Sequence, residues 1–77
     1  MALPGETCNF EATTKKAKTM TDAALAYTVK DCREAALAEE ELLRAGYAAN
    51  PGKYWDEFYT YGREQARREL AAMRKAN

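Results

Sequence analysis

The sequence predicts an all-α protein: an antiparallel helical hairpin with an irregular N-terminal arm, dimerising into a four-helix bundle. Three observations lead there. Residues 20–45 and 51–75 each sustain apolar side chains at helical spacing over about seven turns. Between them, Gly46 and Asn50-Pro51 stand where one helix stops and the next starts. Much of the 47% hydrophobic content is alanine, so one copy of a 77-residue chain has thin material for a core.

The arm comes first. Residues 1–18 (MALPGETCNFEATTKKAK) keep no period of 3.6 or 2. Pro4-Gly5 signals a turn, and Thr13-Thr14 disfavours helix. Leu3 and Phe10 are its anchors. Lys15, Lys16 and Lys18 form a short basic cluster, whose plainest reading is a solvated link before a helix.

The first predicted helix, about residues 20–45, starts at Thr19, with Asp22 three residues on as an approximate capping box; Thr21 is an alternative N-cap. No Pro or Gly interrupts it. Ala24, Leu25, Thr28, Val29, Cys32, Ala35, Ala36, Leu42 and Leu43 share one face, opposite Lys30, Arg33, Glu41 and Arg44. Small residues hold much of this stripe, so large side chains of a partner helix can approach. Tyr27 and Leu37 fall outside it, either as ordinary exposed residues or as a second contact surface.

The turn spans residues 46–50, and Gly52 closes the segment just inside the next helix. Gly46 supplies the left-handed C′ position, Asn50 the N-cap and Pro51 the first helical position. So short a connection predicts antiparallel neighbours. Tyr47 is placed to fold back over the helix end.

The second predicted helix, about residues 51–75, gathers Tyr54, Trp55, Phe58, Tyr59, Tyr61, Gly62, Ala66, Leu70 and Met73 on one face. Asp56, Glu57, Thr60, Arg63, Glu64, Arg67, Arg74 and Lys75 take the other. Asp56 and Glu57 toward its start and Arg74 and Lys75 in its last turn suit the helix dipole, and Glu64–Arg68 forms an i, i+4 pair. Gly62 costs the helix about 1 kcal/mol relative to Ala. Close approach of the first helix is the expected reason.

Catalysis finds little material. There is no His, hence no ordinary general base near neutrality, and Cys8 and Cys32 alone cannot close a zinc site. No Gly-rich phosphate loop occurs. No catalytic, cofactor-binding or metal-ligating residue is expected. The two cysteines read either as reduced thiols or as one bridge from arm to helix. No stretch reaches the roughly 18–20 apolar residues of a membrane span, so a soluble, cytoplasmic protein is expected.

Two features point to binding. Five aromatics crowd residues 54–61 (Tyr54, Trp55, Phe58, Tyr59, Tyr61), more than one partner helix can cover. They read as core and core edge, as an interface hot spot, or as a stacking platform, though Asp56 and Glu57 would repel phosphates. Arg63, Arg67, Arg68, Arg74 and Lys75 give the last helix a basic end. They read as a solvated face, a nucleic-acid contact, or a site for an acidic protein surface. A formal net charge of zero argues against a dedicated nucleic-acid binder.

An acidic surface exists within the chain. Glu39, Glu40 and Glu41 stand near a helix C-terminus, where the dipole disfavours negative charge. In an antiparallel dimer the basic end of one copy, through Arg67, Arg68 or Arg74, reaches this acidic run in the other. Such rim pairs, worth about 0–1 kcal/mol each, set register more than affinity.

The segment Lys18–Asp31 (KTMTDAALAYTVKD), then Gly52–Glu57 (GKYWDE) and a basic helix end, resembles small accessory proteins of tailed bacteriophages, over about residues 15–70. The resemblance implies a protein made in the cytoplasm of a bacterial host, and transfers no site residues. The expected function is a non-catalytic interaction module that self-associates and binds a host or phage protein. The alternatives are a nucleic-acid-associated protein using Arg63, Arg67, Arg68, Arg74 and Lys75, and a small structural or virion assembly component.

Overall fold

The computed structural model describes residues 9–76, and side chains as far as Lys75. Three helices account for most of them: α1 (Phe10–Thr19), α2 (Asp22–Arg44) and α3 (Pro51–Ala76). No strand occurs among the described residues. The protein is all-helical, with α2 and α3 in the places of the two expected helices.

The irregular arm expected over residues 1–18 is corrected from Phe10 onward; its first eight residues, with Leu3 and Cys8, lie outside the described residues. Asn9 caps α1, its side chain accepting from the Ala12 N–H at 3.1 Å. Lys15 sits one turn from Glu11 at 3.6 Å. The two threonines cost only a few tenths of a kcal/mol each in propensity. Packing outweighs that: Ala17 is fully buried against the core while the ring of Phe10 stays exposed. A ten-residue helix is marginal alone and is held by what it docks on.

Thr19 does not cap α2; its hydroxyl donates to the Lys16 carbonyl and closes α1 instead. Thr21 is the cap, accepting from Ala24 N–H at 3.1 Å. Between them Met20 takes an extended conformation, which turns the chain from α1 into α2.

The far end of α2 follows the sequence closely. Gly46 has φ +91°, its N–H donates to Leu43 O, and the Tyr47 N–H donates to Leu42 O at 2.9 Å. This pair of bonds is the Schellman closure. The Tyr47 side chain, expected to fold back over the helix end, is largely exposed. Pro51 opens α3, and Asn50 Oδ1 accepts from Lys53 N–H at 3.3 Å.

Both α1 and α2 rest on α3. Cross-helix contacts descend α2 as they ascend α3: Trp55 with Glu40, Glu57 with Cys32, Arg68 with Asp22. The core is Ala17, Leu25, Cys32 and Tyr61, with Met20, Val29 and Phe58 against it. Along α2 the buried stripe runs Leu25, Cys32, Ala36 and then continues into half-buried Glu39 and Glu40. Leu42 and Leu43, expected on that stripe, are exposed.

The larger correction concerns α3. Thr60 and Glu64, assigned to the polar face, are buried at 4% and 6% exposure. Tyr59, Leu70 and Met73, assigned to the apolar face, are 63%, 55% and 61% exposed. A helix projection yields one apolar stripe, but α3 is covered from two sides, and α1 lies over its hydroxyl and carboxylate positions. Gly62 is not there for close approach either: a Cβ built on it would meet nothing within 4 Å.

Candidate interaction surface

Burying Glu64 requires that every lone pair facing the protein find a donor. Arg67, one turn on, donates through Nε to Oε1 at 2.9 Å and through Nη2 to Oε2 at 2.7 Å. Arg68 adds Nε to Oε2 at 2.8 Å, the i, i+4 pair expected from the sequence. The two guanidiniums hold the Glu64 carboxyl at a pKa of about 2, below the usual 4.5, against the opposing effect of burial. The same carboxylate raises the pKa of both arginines.

Arg68 does more than pair with Glu64. Its Nη1 donates to Asp22 Oδ1 at 2.7 Å, at the start of α2. Its Nη2 donates to the carbonyls of Ala17 at 3.0 Å and Met20 at 2.8 Å. Those carbonyls belong to the C-terminal end of α1, where partial negative charge collects and intrahelical partners run out. One side chain of α3 thereby fixes the end of α1 and the beginning of α2. The sequence offers no signal for this reach, because the partners lie more than forty residues away.

The expected partners of a second copy are thus in part engaged within the chain. Arg67 and Arg68 are taken by Glu64 and Asp22. Glu40 accepts from the Trp55 indole N–H at 2.8 Å, and Glu41 pairs with Arg44. Two of the three acids near the α2 terminus therefore have compensation inside one chain. Of the five cations considered for nucleic acid, Arg63, Arg74 and Lys75 are exposed and form no ion pair among the described residues.

The aromatic run divides by face. Tyr61 is a core residue at 6% exposure. Phe58 packs against the core and meets Trp55 edge to face, ring centres 5.5 Å apart. Tyr54 and Trp55 are half-buried. Tyr59 meets Phe58 edge-on at 5.3 Å, lies tilted beside Trp55 at 6.4 Å, and is otherwise exposed.

From Tyr59 the exposed face continues through Ala66, Leu70 and Met73, edged by half-buried Gly62. At 100° per residue this stripe lies about half a turn from Glu57, Tyr61, Glu64 and Arg68, which face the other helices. Three large side chains, Tyr59, Leu70 and Met73, are thus exposed along one line of α3, unlike apolar residues scattered singly over a surface. Tyr27 and Leu37 are exposed on the outward face of α2, about three turns apart along it. Leu42, Leu43 and Tyr47 make a smaller exposed group at its end.

No group of three or more acidic or cysteine side chains is placed to hold a metal ion among the described residues. No helix among them is long and apolar enough to cross a membrane. The class these features define is a small helical protein whose polar clamp is internal and whose apolar stripe is external. No family model, curated protein or solved structure matches the chain.

Proposed function

We propose that the protein is a non-catalytic interaction module: an antiparallel α2–α3 hairpin, braced by α1, that pairs with a second copy through the outer stripe of α3. Two such hairpins form a four-helix bundle. The dimer then presents its remaining surface to a protein partner of phage or host origin in a bacterial cytoplasm. The observation that carries this reading is the inversion of α3. The helix points Tyr59, Leu70 and Met73 away from the fold while Glu64 lies beneath it.

Fully burying a Leu or Met side chain contributes about 1.5–3 kcal/mol, and each copy offers both with Tyr59. Charge favours the antiparallel order. Up to Thr60, α3 holds Lys53, Asp56 and Glu57; from Arg63 on it holds five cations against Glu64 and Glu69. Antiparallel pairing sets these unlike halves against each other, and Trp55, at the edge of the stripe, meets the far end of the partner helix. Arg74 is the cation left for the rim role considered for Arg67, Arg68 and Arg74.

Multi-angle light scattering at micromolar concentration tests the reading. The expected mass is twice that of the 8.6 kDa chain, falling to one chain for Leu70→Glu with Met73→Glu, at unchanged far-UV circular dichroism. A single-chain mass for the wild type would overturn it.

A further inference from the structure

Lys18, from the basic cluster before α2, and Arg63 and Arg67, from the last helix, line one cleft in the fold. Where α1 rests on α3, a cleft of about 350 Å³ opens between them. It is lined by Thr14 and Lys18 from α1 and by Thr60, Arg63, Glu64 and Arg67 from α3. Residues four apart on one helix, and three, four and seven apart on the other, put each set on a single face. The volume is at the lower end of the range of small-ligand sites.

Three cations and one carboxylate share this lining, and their commitments differ. Glu64 is fully occupied by Arg67 and Arg68, and its depressed pKa keeps it ionised and paired at any physiological pH. Arg67 spends Nε and Nη2 on that pairing and keeps Nη1 available. Lys18 Nζ and the Arg63 guanidinium have no ion-pair partner among the described residues. The Thr60 hydroxyl proton is spent on the Asp56 carbonyl at 2.8 Å, so it offers only lone pairs.

We propose that the α1–α3 cleft binds a phosphate dianion, free or carried on a small molecule, between Lys18, Arg63 and the free edge of Arg67. The lining carries a formal charge of +2, three cations less Glu64, which a dianion balances and a single carboxylate does not. A guanidinium offers a fork of N–H donors to two phosphate oxygens, and the ammonium acts as a point charge beside it. The cleft is centred about a quarter-turn of α3 from the Tyr59–Met73 stripe, and Arg63, four residues on from Tyr59 and seven before Leu70, stands on the edge the two share. None of the observations behind the inference depends on self-association.

The test is a titration of the full chain with inorganic phosphate, followed by amide chemical shifts at constant ionic strength made up with chloride. A second arm uses a small phosphomonoester, and a third a short thymidine oligonucleotide. Saturable shifts at Thr14, Lys18 and Arg63 are expected, with a dissociation constant weakened at least tenfold by Lys18→Gln with Arg63→Gln. The control Arg74→Gln with Lys75→Gln, outside the cleft, keeps wild-type affinity. Tighter binding of the monoester assigns the site to a carried phosphate; equal binding assigns it to the free ion. Shifts that chloride reproduces, or that survive the double substitution, would overturn the proposal. So would a response to the oligonucleotide alone. All substituted positions are exposed, and circular dichroism checks that the fold is kept.

Discussion

Replacing Glu64 with Gln removes the charge on which two arginines converge while preserving size and one acceptor oxygen. The wild-type carboxylate accepts three N–H bonds of 2.7–2.9 Å and has its pKa lowered from 4.5 to about 2. Each pH unit of that lowering corresponds to about 1.4 kcal/mol of preference for the ionised form in the folded state. The Arg67 side chain stands largely in water, which screens its share. The contribution at neutral pH is therefore on the order of 2–3 kcal/mol. Because the folded pKa lies below the unfolded one, this stability is present in full above about pH 4.5. It fades as pH falls and is gone near pH 2. Urea denaturation followed by circular dichroism between pH 7 and pH 2 reads it directly. Glu64→Gln should be less stable than wild type at pH 7 by that amount, with the gap closing as the pH drops. Other carboxylates titrate in both proteins and cancel in the difference. Parallel curves for the two proteins would refute the reasoning, because the carboxylate would then have no special partners in the fold.

The remaining predictions use the same denaturation assay or simple spectroscopy. Gly62→Ala should stabilise the protein by about 1 kcal/mol, since the added methyl meets nothing and the helix loses a flexible residue. Gly46→Ala should destabilise it by about 1–2 kcal/mol, because φ +91° is strained for any residue with a Cβ although the space there is empty. Gly46→Asn should recover part of that loss. Trp55→Phe keeps an aromatic ring but removes the N–H donated to Glu40, and should cost about 1–2 kcal/mol. In the wild type, Glu40→Gln should shift the fluorescence of this single tryptophan with little change in helicity.

The residues that were legible share one property: their partners are close in sequence. Gly46, Asn50 and Pro51 terminate and start helices through bonds spanning three to five residues. The Glu64–Arg68 pair spans four. The cap on α1 is equally local, yet Asn9 went unread because Thr13-Thr14 argued against the helix it begins. A weak propensity there was set against a docking energy that no local pattern records.

The aromatic segment shows where sequence reading stops. Tyr59 and Tyr61 stand two residues apart in one crowded run, and both suit a core or an interface. The fold puts Tyr61 inside and Tyr59 outside, because α1 and α2 together settle the rotation of α3 about its own axis. The same rotation buries Thr60 and Glu64 and exposes Leu70 and Met73.

By itself, then, the sequence determined that this chain is helical, and where α2 ends and α3 begins, since those features rest on dihedral preferences and hydrogen bonds within a turn or two. Tertiary structure decided which side of α3 faces inward and that Arg68 clamps α1 to α2. It also decided that Lys18 and Arg63 line one cleft. These features join residues from fifteen positions apart, as Trp55 and Glu40 are, to about fifty, as Arg68 and Ala17 are, and only the docking of α1 and α2 onto α3 brings such residues within reach.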